Sequence, residues 1–490
     1  MENNANTLNT IEFSNLKTYL EKNTTIVSDQ DIWVTVTDET FNDFLEFTKT
    51  NAFVIQNVYL QTSSCVANLL PNTITDIVLA ILKPVAIPVG FFPSSLKGLK
   101  FTYNYNFPLE KETLPQSITS LTIGYNGKEP FHWDCLPSNL ESLTLQTALA
   151  VAFSQPIGPL PKTLKYLDLG SRYHLPLESP IPDHVKTLLG GVAPLDTTKV
   201  PSGLLEYQIA GSFDAATLKL PQGIKTLVVK QLKVDQEMCQ VPESVTTLDL
   251  SGYTFQSQKP LRDILPSNLT CLNLGGYFNQ TLSIGDLPQT LKSLNLGSFS
   301  GPLAKDVLPA GLVNLNMHDY NPKEPCPLDS DIFPQSLSTL VMPQYLSVCI
   351  PAGLFPDTLT SLELTFNNAN QPMTPNMLPA NLTNLKIASH ISDVSIEPGF
   401  IPAKVTKLSL HLVKYNQSLV EGVLPQSVQE LHIAIIPKEN QTYNIPASVK
   451  TIKYIGGKPL TQSMVPNRSI DNILTIDYGF WKTQQTCKNN

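Results

Sequence analysis

Residues able to do chemistry are sparse in this chain. The densest cluster is His132-Trp133-Asp134-Cys135, with an imidazole, a carboxylate and a thiol in four residues. It stands just before a Leu136-Pro137 turn and has no second cluster at metal-ligand spacing, so it reads as loop residues at a turn. The other histidines, at 174, 184, 318, 390, 411 and 432, are scattered along the chain. No Gly-Lys-Ser/Thr phosphate loop, no Gly-x-Ser-x-Gly elbow and no Cys/His pairing with a local signature is present. The residues therefore predict no catalysis, no metal and no cofactor. The remaining chemistry is hydrogen bonding, and its most ordered expression is the series Asp249, Asn273, Asn295, Asn316. Amide side chains offer both a donor and an acceptor, which suits the backbone of an extended peptide.

That series is ordered because the chain repeats. The clearest unit is Leu265-Pro266-Ser-Asn-Leu269-Thr-Cys-Leu272-Asn-Leu274-Gly-Gly-Tyr277-Phe278-Asn279-Gln280, restarting at Leu287-Pro288. Counting the proline as zero, apolar residues recur at +3, +6 and +8. Anchoring prolines stand at 71, 93, 115, 137, 161, 182, 201, 221, 242, 266, 288, 309, 334, 356, 379, 402, 425 and 446, spaced 19 to 25 residues apart. Gly190, in the +8 slot after Pro182, breaks the pattern where the intervals are shortest, and predicts a bend or irregular strand over 182–221. Pro466, with Ile470 and Ile473, reads as a decayed nineteenth unit before a frayed tail from Trp481.

A period of 20–29 with Leu-x-x-Leu-x-Leu is the leucine-rich-repeat signature. Positions +6 and +8 alternate onto one face of a short strand, and +5, +7 and +9 onto the other. The predicted fold is a leucine-rich-repeat-like β-solenoid: a curved parallel sheet with short irregular or 3-10 return segments. The units are too short, and too rich in Gly, Pro, Asn and Ser, for full return helices. Asn stands at +11 at 104, 126 and 367, but aromatics are commoner there: Tyr253, Tyr277, Phe299, Tyr320 and Tyr345. They are read as a buried aromatic ladder, or alternatively as an exposed stacking strip for a sugar or peptide.

Residues 1–60 lack the template. Apolar spacing predicts a helix over Ile11 to Glu21, a strand over Asp31 to Thr37, and a helix from Thr40 with Thr40 or Asp38 near its N-cap. A strand follows over Ala52 to Leu60. Such a segment serves as a small α+β N-terminal cap over the apolar end of an array, burying Trp33, Phe41 and Phe44, or else as a docking module. The organisation is then 1–60 cap, 61–460 array of about eighteen repeats, and 461–490 decayed repeat and tail.

Bulk composition narrows the partner. Net charge is −8 without a Lys/Arg-rich run, which argues against nucleic acid and against an anionic membrane surface. The most apolar window, 77–92, contains Lys83, Pro84 and Pro88 and is no membrane span. The first residues show no signal peptide, and seven scattered cysteines fit reduced thiols, so a cytoplasmic setting is expected.

The phrase Leu-Pro-x-Ser/Asn-Leu-x-x-Leu-x-Leu-Gly, followed by Tyr277-Phe278-Asn279-Gln280-Thr281-Leu282, resembles the FNIP repeat family. That family is a leucine-rich-repeat variant of social amoebae and giant viruses. Looser copies stand at Phe366 to Pro372 and Tyr415 to Leu419. The resemblance implies a protein-interaction surface. The expected function is a non-enzymatic scaffold binding a protein or peptide on the concave sheet face, with Asp249, Asn273, Asn295 and Asn316 as hypothesised contacts. Polar residues are also what any exposed strand position needs. Two other readings stand beside the scaffold: the substrate-recognition subunit of a ubiquitin ligase with residues 1–60 as adaptor contact, and a surface or secreted receptor.

Overall fold

The computed structural model describes residues 9–16, 32–50, 54–83, 85–102, 109–125, 132–147, 156–170, 173–175, 177–191, 199–210, 220–231, 241–254, 259–278, 280–321, 331–344, 350–351, 353–366, 373–389, 396–412, 418–435, 441–455, 461–467 and 473–476. They fall into two compact units, Met1–Val245 and Thr246–Asn490. Each is a ladder of parallel strands joined by return segments.

One turn recurs through both units. The carbonyl of each anchoring proline accepts the amide of its own +3 residue, from Ile74 on Pro71 (3.2 Å) to Val449 on Pro446 (3.2 Å), and all eighteen template prolines do this. Proline suits the position because its fixed φ presets the turn, and its missing N–H lies outside the ladder. The turn carries the +3 side chain inward, where it is 1% exposed or less in every unit. The +6 and +8 side chains are buried beside it, and each buried aliphatic contributes about 1.5–3 kcal/mol.

In the first unit, β1 (Asn9–Glu12), β2 (Ile32–Thr37), β3 (Asn57–Thr62) and β4 (Asp76–Ile81) pair in succession. Residues 9–62 thus supply rungs of the same ladder as the repeats. The helix expected from Ile11 is corrected here: Ile11 lies in β1, paired with Val34, and helical backbone starts only at Phe13. α1 (Phe41–Thr50) packs on this end through Phe44, whose ring meets Phe13 at 5.7 Å. Phe44 is fully buried, whereas Trp33 and Phe41 are half-exposed. Thr40 gives its carbonyl to the Phe44 amide, while Asp38 turns away to accept from Thr62 and Ser63. The ladder continues through β5 (Gly98–Phe101), β6 (Ser120–Tyr125), β7 (Ser142–Thr147), β8 (Tyr166–Asp168), β9 (Thr187–Leu189), β10 (Glu206–Ala210) and β11 (Thr226–Gln231). The irregularity expected over 182–221 has two parts. Gly190 lies at φ +80° so close to Gly170 that a Cβ would meet its carbonyl oxygen at 2.6 Å, so this unit fills its +8 slot with backbone. The β10–β11 register then slips between Ile209 and Ala210.

The second unit holds β12 (Thr247–Asp249), β13 (Cys271–Asn273), β14 (Ser293–Asn295), β15 (Asn314–Asn316) and β16 (Thr339–Val341), then the longer β17 (Ser361–Phe366), β18 (Asn384–Ser389), β19 (Lys407–Leu412), β20 (Glu430–Ile435), β21 (Thr451–Ile455) and β22 (Ile473–Ile476). Ile473 pairs with Ile452, a +6 residue. The nineteenth unit therefore forms a strand with one residue more than the template before it.

Within each compact unit, hydroxyls and amides at +2 bond successive repeats together. The Thr290 hydroxyl donates to the carbonyls of Ser267 (2.7 Å) and Leu269 (2.8 Å), and Ser336 and Thr358 repeat the arrangement. Where +2 is Gly203 or Gly311, the +4 lysine of the preceding unit, Lys186 or Lys292, donates to the glycine carbonyl at 3.1 Å instead.

Candidate binding face

Positions +5, +7 and +9 form the open face of each ladder: +5 and +7 are half-exposed or exposed apart from Val78, +9 varies and is buried at, among others, Ala80, Gly275, Gly297, Thr365 and Ala434, and +6 and +8 are buried. The four residues singled out from the sequence come together on it. Asp249, Asn273, Asn295 and Asn316 are Cα partners on successive strands β12–β15. Their side-chain oxygens, however, turn to their own backbone. Asp249 accepts the Ser251 amide at 2.8 Å, Asn273 that of Gly275 at 3.1 Å, Asn295 that of Gly297 at 3.0 Å and Asn316 that of His318 at 2.9 Å. The Asn273 amide also donates to Asp249 at 3.0 Å. Asp168 accepts from Gly170 in the same way in the first unit, at 2.8 Å. Each is a side chain bonding its own chain two residues on, which takes the backbone out of the extended state.

The consequence is visible in strand length. β8, β12, β13, β14 and β15 carry Asp or Asn at +7 and run three residues. β17, β18, β19 and β20 carry Glu363, Lys386, Ser409 and His432 there and run six. β16 and β9 stop at three residues for other reasons: Pro343 follows closely in one, and Gly190 enters the left-handed region in the other.

Strand length decides how the core is filled next. After the short strands a turn closes, with Tyr253 donating its amide to Leu250, Phe299 to Leu296 and Tyr320 to Met317. It swings an aromatic inward. Phe278, Phe299 and Tyr320 stack at 5.6 and 5.8 Å, and all are 2% exposed or less. The aromatic column is thus a buried ladder. One member is corrected: Tyr277 is 61% exposed, and Phe278, after a turn one residue longer at Gly275-Gly276, takes the inner place. Asn104, Asn126, Asn279, Tyr345 and Asn367 lie outside the described residues. In the long strands alternation simply continues, and Phe366, Ser389 and Leu412 at +10 are buried.

The long strands carry a charged strip along the +5, +7 and +9 positions of the repeat template. Lys386 pairs with Glu363 at 2.6 Å and Lys407 with Glu430 at 3.1 Å, each across one strand boundary. His411 on β19 and His432 on β20 stand among them, with Lys453 on β21. Burial, reinforced by Lys386, holds the His411 imidazole below the ordinary histidine range against the opposing pull of Glu363. His432 is likewise lowered by burial and then by Lys453. The signal available in the sequence was the alternation of charge at +5 and +7 in consecutive units.

The His132–Cys135 cluster forms a single 3-10 turn, Trp133–Cys135, with Cys135 buried. Burial, then Asp134, pushes its thiol up to about 12. Among the described residues no helix is long and apolar enough to cross a membrane.

By sequence, no curated protein matches this chain significantly. The FNIP Repeat family matches residues 83–126, 105–147, 257–299, 278–320 and 369–413. Among solved structures the chain is similar to CroV588, described as a novel circular LRR protein, with 19% identity, TM-score 0.55, and coverage of 86% of this chain and 79% of that one. It is similar also to TLR13, solved as a complex with ssRNA13, with 13% identity, TM-score 0.50, and coverage of 91% and 78%. YopM of Yersinia enterocolitica WA-314 superposes less closely, at TM-score 0.34 and 18% identity over 82% of this chain and 86% of that one. The prolyl turn, the parallel rungs and the five matched segments agree: the chain is an FNIP-repeat-containing protein with a leucine-rich-repeat fold.

Proposed function

We propose that this chain is a non-enzymatic interaction scaffold that binds a protein or peptide partner on the open face of its sheet. The observation that carries this reading is the division of side chains on every rung. Template positions +3, +6 and +8 are committed to the core, while on β17–β21 the +5 and +7 residues, with His411 at +9, present a half-exposed to exposed surface in register from strand to strand. Such a surface suits an elongated partner, as extended solenoid faces do. The sequence-derived contacts Asp249, Asn273, Asn295 and Asn316 enter as a lesser part of it, because their acceptors serve the backbone. A cytoplasmic setting is part of the same reading, on the reduced thiols of Cys65, Cys135 and Cys271.

Site-specific photo-crosslinking in cells of the source organism tests it. A crosslinker at Ser409, on the open face, is expected to yield one or a few discrete adducts. One at Ile284, exposed in a return segment, is expected to yield none of these. Adducts shared by both positions, or found only from Ile284, would overturn the reading.

A further inference from the structure

We infer that the open face of β17–β21 binds an extended, carboxylate-rich peptide segment, and that it does so more tightly as the pH falls. This rests on the scaffold reading and names the partner chemistry of one part of that face.

The charges sort as follows. β17 contributes Glu363, β18 Lys386, β19 Lys407 and His411, β20 Glu430 and His432, and β21 Lys453. Both carboxylates are already in ion pairs, with Lys386 and Lys407. Among the described residues no carboxylate forms an ion pair with Lys453, His411 or His432. These three are the groups left to meet a ligand, and all three are cationic or become so. The surplus is local, since the whole chain carries −8. An acidic segment is therefore repelled by the molecule at large and attracted here.

Geometry favours an extended chain. Lys386, Ser409, His432 and Lys453 form one row at +7 across four neighbouring strands, and His411 stands one row above. At about 4.8 Å per strand the row spans roughly 14 Å, the reach of about four extended residues. Because β18–β20 run to +10 and β21 to +9, no backbone turn intrudes on the row, unlike in β12–β15. The Ser409 hydroxyl and the neutral imidazoles supply hydrogen bonds between the charges.

The pH dependence follows from linkage. Burial and neighbouring lysines lower both imidazoles in the free face, against the opposing pull of Glu363 on His411 and Glu430 on His432. A carboxylate arriving beside them favours their charged forms, so binding takes up protons, and affinity rises with falling pH by up to about two decades per pH unit if both histidines respond.

The test uses the full chain and a fluorescein-labelled Glu/Ser peptide, with a Lys/Ser peptide as counterpart, followed by fluorescence anisotropy between about pH 5.5 and 7.5. The Glu/Ser peptide is expected to bind and to tighten at least about fivefold at the acid end, while the Lys/Ser peptide does not bind. His411→Gln with His432→Gln should flatten the pH profile. Lys453→Gln should weaken binding at every pH, whereas Lys305→Gln, away from the face, should change nothing. Circular dichroism checks that each variant is folded. Absence of binding at the acid end, equal binding of the Lys/Ser peptide, or an unchanged pH profile in the double histidine variant would overturn the inference. If crosslinks from Ser409 persist while the acidic peptide fails, the scaffold reading survives and only this partner chemistry falls.

Discussion

Strands β12–β15 and β17–β20 are built on the same template and reach their cores by different routes. Both place +3, +6 and +8 inside. In β12–β15 an Asp or Asn at +7 then accepts the amide at +9, extension stops, and a turn brings an aromatic into the core. In β17–β20 the +7 residue is Glu, Lys, Ser or His and extension continues, and in β17–β19 the +10 residue fills the core by alternation. A single side chain therefore sets both the strand length and the surface. Polar residues spent on the backbone leave little for a ligand; charged residues too long or differently shaped for that local bond stay on the face. The most regular polar column of the molecule is thus its structural part, and the less regular one keeps its side chains on the open face.

The difference can be broken from either side. The largest effect is expected at the aromatic ladder. Phe299→Ala should cost about 3–5 kcal/mol, with loss of protection concentrated in β13–β15, since its ring stacks on both Phe278 and Tyr320. Long repeat arrays lose all-or-none behaviour, so site-resolved hydrogen exchange is the appropriate readout. Next comes the glycine two residues after the Asn. Gly297 sits at φ +55°, where an added Cβ would run into the Gly275 carbonyl. Gly297→Ala should cost more than the about 1–2 kcal/mol of left-handed backbone alone. The reciprocal change in an extended strand, Ala388→Gly at the matching +9 position, should cost only about 0.5–1 kcal/mol in urea denaturation. Asn295→Ala, which orphans the Gly297 amide, should cost about 1 kcal/mol, and Ser409→Ala at the matching position of β19 close to none.

pH separates the regions as well. His411 and His432 have folded pKa values below the unfolded one, so the unfolded chain binds more protons. Stability is therefore full above about pH 6.5 and falls as pH drops toward the folded values. Amide protection in β19–β20 should fall over that window while that in β13–β14 holds, and His411→Gln should remove part of the loss. The smallest effect belongs to the Lys386–Glu363 pair. It is partly exposed, and a double-mutant cycle should give about 0.2–1 kcal/mol.

How much of this was legible in the sequence follows the range of the forces. The +3, +6 and +8 slots and the parallel stacking were readable, because burial leaves a periodic record in residue type. The inward place of Phe278 rather than Tyr277 was not, since a one-residue difference in turn length has no signature beyond Gly275-Gly276. The strand at Asn9–Glu12 was hidden by an apolar spacing that also suits a helix, and pairing with β2 decided it. The role of Asp249, Asn273, Asn295 and Asn316 was missed for a local reason: the residue type that suits a peptide ligand also suits an amide two residues on. The strip at Glu363, Lys386, His411 and His432 was readable as successive +7 and +9 residues, but its ion pairs were not, because side-chain reach across the register of β17–β20 decides them.

The most direct measurement is amide hydrogen exchange at Gly297 in Asn295→Ala, with Ser409→Ala as reference. If Asn295 serves the backbone, the Gly297 amide should lose protection by about a factor of ten, in step with a lost hydrogen bond, while the His411 amide in Ser409→Ala is unaffected. Unchanged protection at Gly297 would contradict this. It would return the Asn column to the open face as a free hydrogen-bonding groove and dissolve the distinction between the two regions.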